Sequence, residues 1–134
     1  MKGSFLALNN FVVALLELGN VEEAITKLET LNKLVSSKDE RTVLKATTAM
    51  LQYKIGDFVM GRSLYEDAMS DFILSRDENH LARLYYYYGK EEITVDKSYG
   101  LSILSKSKKL IERSDANKEI LINVNKLIQS TVNK

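Results

Sequence analysis

Few residues in this 134-residue chain could do chemistry. His80 is the lone imidazole and lies in the run Glu78-Asn79-His80. An acid–base pair built on it would need a second group aimed at the same ring, and a His at a helix start more often faces solvent. No Glu precedes it at the spacing of the Glu-x-x-His ligands of a di-iron bundle. The chain has no Cys, which removes thiolate zinc sites, iron–sulfur clusters, disulfides and Cys nucleophiles. Its six Gly are scattered, so no loop cradles a phosphate. Four acidic pairs, Glu22-Glu23, Asp39-Glu40, Asp77-Glu78 and Glu91-Glu92, could each be read as an acid beside a base. Each is expected just after a helix break, where the helix dipole favours a carboxylate, and that accounts for all four together. The sequence therefore predicts no catalytic residue, no cofactor and no metal ligand.

Two other clusters could touch a ligand. Lys106, Lys109 and Arg113 share a helical face, and residues 90–134 hold nine Lys/Arg against six Asp/Glu. Such a stripe could contact phosphate, although a solvated face near a helix C-terminus is its commoner use. Nineteen Lys plus Arg against eighteen Asp plus Glu leave a net charge of +1, which disfavours a nucleic-acid partner. Tyr85 to Tyr88 run consecutively and must cover all sides of a helix, so at least one ring faces away from the core.

The elements that would position these residues are helical throughout. The chain is 45% hydrophobic and 28% charged, has no Pro, and spaces its apolar residues at three and four. Phe5, Leu8, Val12, Leu15 and Leu16 mark a first helix; Ala24, Ile25, Leu28, Leu31 and Leu34 mark a second. A third is expected over 39–55, a fourth from Phe58 to Ile73, and a fifth from near Asp77, stopping at Gly89. A sixth carries Tyr99 to Ile111, and a seventh, from about Asp115, carries Ile120, Leu121, Val124, Leu127 and Ile128. Asn9, Asn10 and Glu17 interrupt the only apolar run near the start, against a signal peptide. No stretch approaches a membrane span, and a cytoplasmic protein is expected.

The breaks recur. Gly19-Asn20-Val21 and Gly56-Asp57-Phe58 share a Gly-polar-apolar turn 37 residues apart, and Gly89 follows 33 residues later. A helix on each side of every turn, at a period in the mid-thirties, marks a helix–turn–helix repeat. Residues 18–31, LGNVEEAITKLETL, resemble the turn and second helix of the tetratricopeptide repeat family. Gly19 stands for the turn glycine, Ala24 for the small residue at the close helix approach, and Leu28 and Leu31 for the next packing positions. Gly56, Gly61, Tyr65 and Ala68 fall at the same offsets in the next unit. In the third unit Thr94 takes the small-residue position and the second helix is delayed, leaving Gly100 or Ser102 for the close approach.

This resemblance implies an all-α, right-handed solenoid of about three antiparallel pairs (units 5–38, 39–75 and 76–113) in a single 1–134 domain. A helix over about 115–132 would cap it. It also implies a groove lined by first-helix residues: Asn9, Val13 and Leu16, then Ala46, Met50 and Tyr53, then Asn79, Arg83 and Tyr86, with Glu17, Lys54 and Tyr87 at its edge. The expected function is a non-enzymatic scaffold or adaptor that binds a protein or peptide there. Alternatives are a peptide-sensing regulatory segment of a larger transcriptional or effector protein, or a weak nucleic-acid binder through the basic stripe. Leu6, Val13 and Leu16 lie off the best-buried stripe of the first helix, so a homodimer through the N-terminal helix pair is a further expectation.

Overall fold

The computed structural model describes residues 1–114 and 117–133. Their regular structure is helical: α1 (Gly3–Glu17), α2 (Val21–Leu34), α3 (Lys38–Lys54), α4 (Phe58–Leu74), α5 (Glu78–Glu92), α6 (Lys97–Ser114) and α7 (Lys118–Val132). The expected start of the last helix, Asp115, lies outside the described residues.

Local chemistry sets the helix ends. Gly19 and Gly56 take φ of 81° and 89°, and Arg76 takes 56°. At each, the next N–H reaches back to a carbonyl near the helix end: Asn20 to Leu15, Asp57 to Gln52, Asp77 to Phe72. These are Schellman closures, which satisfy carbonyls that the helix leaves over. Glycine enters this left-handed conformation freely, whereas Arg76 meets a steric cost. The polar residue after the turn then starts the following helix. Asp57, Asp77 and Asp96 accept the N–H of Met60, His80 and Tyr99, each at 3.1 Å, and Ser37 does the same for Glu40.

The chain divides into two compact units, Met1–Ala68 and Met69–Lys134. In the first, α1 packs on α2 and α3, and α2 packs on α3. Two buried or half-buried hydrogen bonds fix the register of α1 on α3. The backbone N–H of Lys2 donates to Glu40 Oε2 at 3.0 Å, and Thr47 Oγ1 donates to Asn9 Oδ1 at 2.6 Å; both pairs are 38 residues apart. A constant offset at two levels means that α1 and α3 run parallel. The Glu40 carboxylate also accepts Ser36 N–H and Ser36 Oγ–H at 2.8 and 2.9 Å. The backbone N–H of Lys2, then that of Ser36, hold its pKa below the ordinary value against the opposing effect of burial. Glu40 is thus a tie between the start of α1 and the α2–α3 connection, more than the dipole-facing carboxylate expected.

In the second unit α5 packs on α6 and α7, and α6 on α7. Ser107 Oγ donates to the Ala82 carbonyl at 2.9 Å, and Tyr88 meets Tyr99 edge-on at 6.1 Å, so α5 and α6 run antiparallel. Asn117 Nδ2 donates to the Asn79 carbonyl at 3.0 Å, again across 38 residues. Two expectations fail here for one reason. Gly89 does not end α5; it lies buried inside it, where an added Cβ would sit 2.7 Å from Leu104 and 3.2 Å from the Gly100 carbonyl. Consequently Glu91-Glu92 sit buried at the end of α5 and not at the start of a helix. The turn itself is Ile93 to Asp96 and contains no Gly. Counted from Asp96, Gly100 falls where Gly61 falls from Asp57 and Ala24 from Asn20. Its added Cβ would lie 2.5 Å from Ile93 N, so Gly100, and not Ser102, is the close-approach residue.

Candidate functional site

Of the expected groove and edge residues eight lie in the first unit, and four of them, Asn9, Leu16, Met50 and Tyr53, are packed inside it. Asn9 is buried on Thr47, Met50 is 3% exposed and Tyr53 is 5% exposed. Tyr53 fills the slot that Gly61 leaves, with Phe58 and Tyr65 at ring separations of 5.9 and 5.8 Å. A ring held on three sides by its own unit belongs to its core, and Asn9, Leu16 and Met50 are buried there with it. Val13 is half-buried and Lys54 exposed. The off-stripe residues of α1 are also more covered than expected: Leu16 is buried, and Leu6 and Val13 are half-buried.

The four expected groove and edge residues of the second unit, exposed Asn79 with Arg83, Tyr86 and Tyr87, all stay outside the core. On α5, Leu81, Ala82, Leu84, Tyr85, Tyr88 and Gly89 are buried, while Arg83, Tyr86 and Tyr87 stay half-exposed. Lys90, also half-exposed, completes the set. Positions 83, 86, 87 and 90 fall at three- and four-residue steps, so they form one stripe along a single helix face. The Tyr86 and Tyr87 rings stand 5.1 Å apart and tilted, and the Lys90 ammonium lies 5.8 Å over the Tyr86 ring, a cation–π contact. Lys90 escapes a sequence reading that stops the helix at Gly89; its spacing from Arg83 was the available signal.

Elsewhere the surface offers less. Lys106 and Lys109 are exposed, but Arg113 Nη2 donates to Glu78 Oε2 at 2.7 Å, which neutralises one end of the basic stripe. His80 serves the fold: its Nδ1 lies 2.7 Å from Asp77 Oδ2 and its ring stacks on Phe72 at 5.3 Å. Among the described residues no group of three His, Asp or Glu is placed to hold a metal ion. Between α6 and α7 a shallow hollow of about 400 Å³ is lined by Lys108, Asn125, Ile128, Gln129, Val132 and Asn133. In the first unit, the parallel register brings the ends of α1 and α3 to one side. Leu18 and Val59 stand 82% and 84% exposed there, beside Ile55 and Phe58, as an apolar rim. No described helix is long and apolar enough to cross a membrane. The chain matches no family model, no curated protein and no solved structure.

Proposed function

We propose that this chain is a non-enzymatic helical-repeat module that binds a protein or peptide segment, as a scaffold or adaptor in the cytoplasm. The observation that carries the reading is the α5 stripe of Arg83, Tyr86, Tyr87 and Lys90, held outside the core on a helix whose other faces are packed. Tyr and Arg dominate binding surfaces because they offer large contact area at small entropic cost, with polar tips that adapt. The repeat part of the proposal draws support from two features. Hydrogen bonds link residues 38 apart in both units, and Ala24, Gly61 and Gly100 recur at one position after each turn. A tetratricopeptide-like solenoid is the arrangement that would generate both.

The reading is tested by selecting peptides from a random displayed library on the wild-type protein and on the triple variant Arg83→Ala/Tyr86→Ala/Tyr87→Ala. Enriched peptides should bind the wild type and lose at least about tenfold in affinity on the variant. The variant should keep its helical circular dichroism and its melting temperature. Failure to enrich any peptide, or equal binding by both proteins, would remove the proposal.

A further inference from the structure

We infer that the hollow between α6 and α7 is a second binding site, one that takes a small aliphatic carboxylate: a single anionic head on a short hydrocarbon body. It shares no residue with the α5 stripe, and it stands whether or not that stripe binds a peptide. On α7 its lining falls in two rows. Asn125, Gln129 and Asn133 follow one another at four-residue steps, and Ile128 and Val132 repeat the step beside them. One helix face therefore presents a row of carboxamides alongside a row of aliphatic side chains. Lys108 lines the hollow from α6 and is the only charged group among the six.

The polar groups of this lining are unused by the fold. Lys108 is half-buried, and Glu112 stands four residues on, at ion-pair spacing along α6. Even so, Lys108 has no ionic partner among the described residues. The side chains of Asn125, Gln129 and Asn133 likewise make no hydrogen bond to the described residues. A half-buried ammonium attracts a counter-charge more strongly than one in open water, because less solvent screens it. No Asp or Glu is among the six, so the lining itself supplies none. Residues 90–134 carry nine Lys/Arg against six Asp/Glu, and their field favours an anion. A carboxylate has about four lone-pair sites, and carboxamide N–H groups can fill those that one ammonium leaves open.

The size of the hollow selects the body. At about 400 Å³ it falls within the range of small-molecule pockets, roughly 300–1,000 Å³. From Asn125 to Asn133, the C-cap, it follows α7 for about 12 Å along the axis. Ile128 is half-buried and Val132 is 60% exposed, so a hydrocarbon laid along them covers apolar surface on both partners. A second negative charge on the ligand would find no second cation among the six, which sets a monocarboxylate apart from a dicarboxylate.

The test follows the amide NMR spectrum of the isotope-labelled full chain during titration with hexanoate, hexylammonium, hexanol and acetyl-Gly-Ser-Gly-Leu with a free carboxylate. Hexanoate should shift the amides of Lys108 and of residues 125–133, and bind at least about fivefold more tightly than hexanol. Hexylammonium should leave these signals in place. Lys108→Met keeps an unbranched apolar side chain and removes the charge, so hexanoate should weaken to the level of hexanol while hexanol itself is unchanged. Val132→Asp, at an exposed position, should abolish binding of both. The comparison of the three hexyl probes on the wild type decides the matter even if a variant fails to fold. Hexanol or hexylammonium binding as well as hexanoate would sink the carboxylate assignment. Shifts confined to exposed lysines such as Lys106 and Lys109 would mean adventitious ion pairing only, and no shift at all would remove the site. Tighter binding of the acetylated peptide than of hexanoate would overturn the small-molecule assignment in favour of a protein C-terminus.

Discussion

Tyr53 of α3 and Tyr86 of α5 each stand three residues before a glycine, yet one is core and the other is half-exposed, because Gly56 closes a turn and Gly89 lies inside its helix. The two units also differ in what the small residue at the helix crossing meets. Across from Tyr53, Gly61 lacks a side chain, and the Tyr53 ring occupies the room: an added Cβ at Gly61 would meet ring carbons at 2.7 and 2.8 Å. In the second unit the glycines bring backbones together instead. Gly89 meets the Gly100 carbonyl and the Leu104 side chain, and Gly100 meets the backbone of Ile93. No ring is among the atoms nearest either glycine, and Tyr86 and Tyr87 stay half-exposed. A small residue at a helix crossing thus has two outcomes: it admits a ring from the facing helix, or it lets the two backbones meet.

The largest effect that could break this contrast is in the aromatics themselves. Tyr53→Ala should cost about 3–5 kcal/mol in urea unfolding, as deletion of a buried ring does, while Tyr86→Ala should stay within about 0.5 kcal/mol. Equal losses would mean that the two rings are not in different roles. Next come the glycines. Gly100→Ala drives a Cβ against Ile93 main-chain atoms and should cost about 2–3 kcal/mol. Gly61→Ala presses a Cβ on the buried Tyr53 ring, partly offset by a gain in helix propensity, so about 1–2 kcal/mol is expected by the same measurement.

A similar effect separates the polar ties. Thr47→Val leaves the buried Asn9 carbonyl without its 2.6 Å donor and should cost about 1–2 kcal/mol. The smallest is read against pH. Because the native pKa of Glu40 is lowered from 4.5, its contribution is complete above that value and is lost as pH falls through the native one. Melting temperature should therefore drop on acidification below about pH 4.5, with a shallower slope in Glu40→Gln. The tie between α5 and α7 runs through Asn117 and Asn79, which do not titrate, so replacing Asn117 by Ala should leave that slope unchanged.

The contrast also explains what could be read from the residues and what could not. Apolar spacing placed the seven described helices, and Gly19 and Gly56 marked true turns, because Schellman closure is a local property of a few residues. Gly89 misled because a glycine's conformational freedom is equally consistent with a helix stop and with a tight helix crossing. Only the partner, Gly100 eleven residues on and across the turn, tells them apart. The proposed binding face was half legible. Arg83, Tyr86 and Tyr87 were reached through the repeat resemblance, counted from Gly89, but the burial of Tyr53 depends on Gly61, which spacing along one helix does not report.

The 38-residue ties carry a consequence for synthesis. While the ribosome has released only α1 and α2, Asn9 and the Lys2 amide have no protein partner, because Thr47 and Glu40 are still to come. The first hairpin should therefore leave the exit tunnel loose and tighten when α3 emerges. In arrested nascent chains, protease resistance of α1 should rise in one step once the released length passes Thr47.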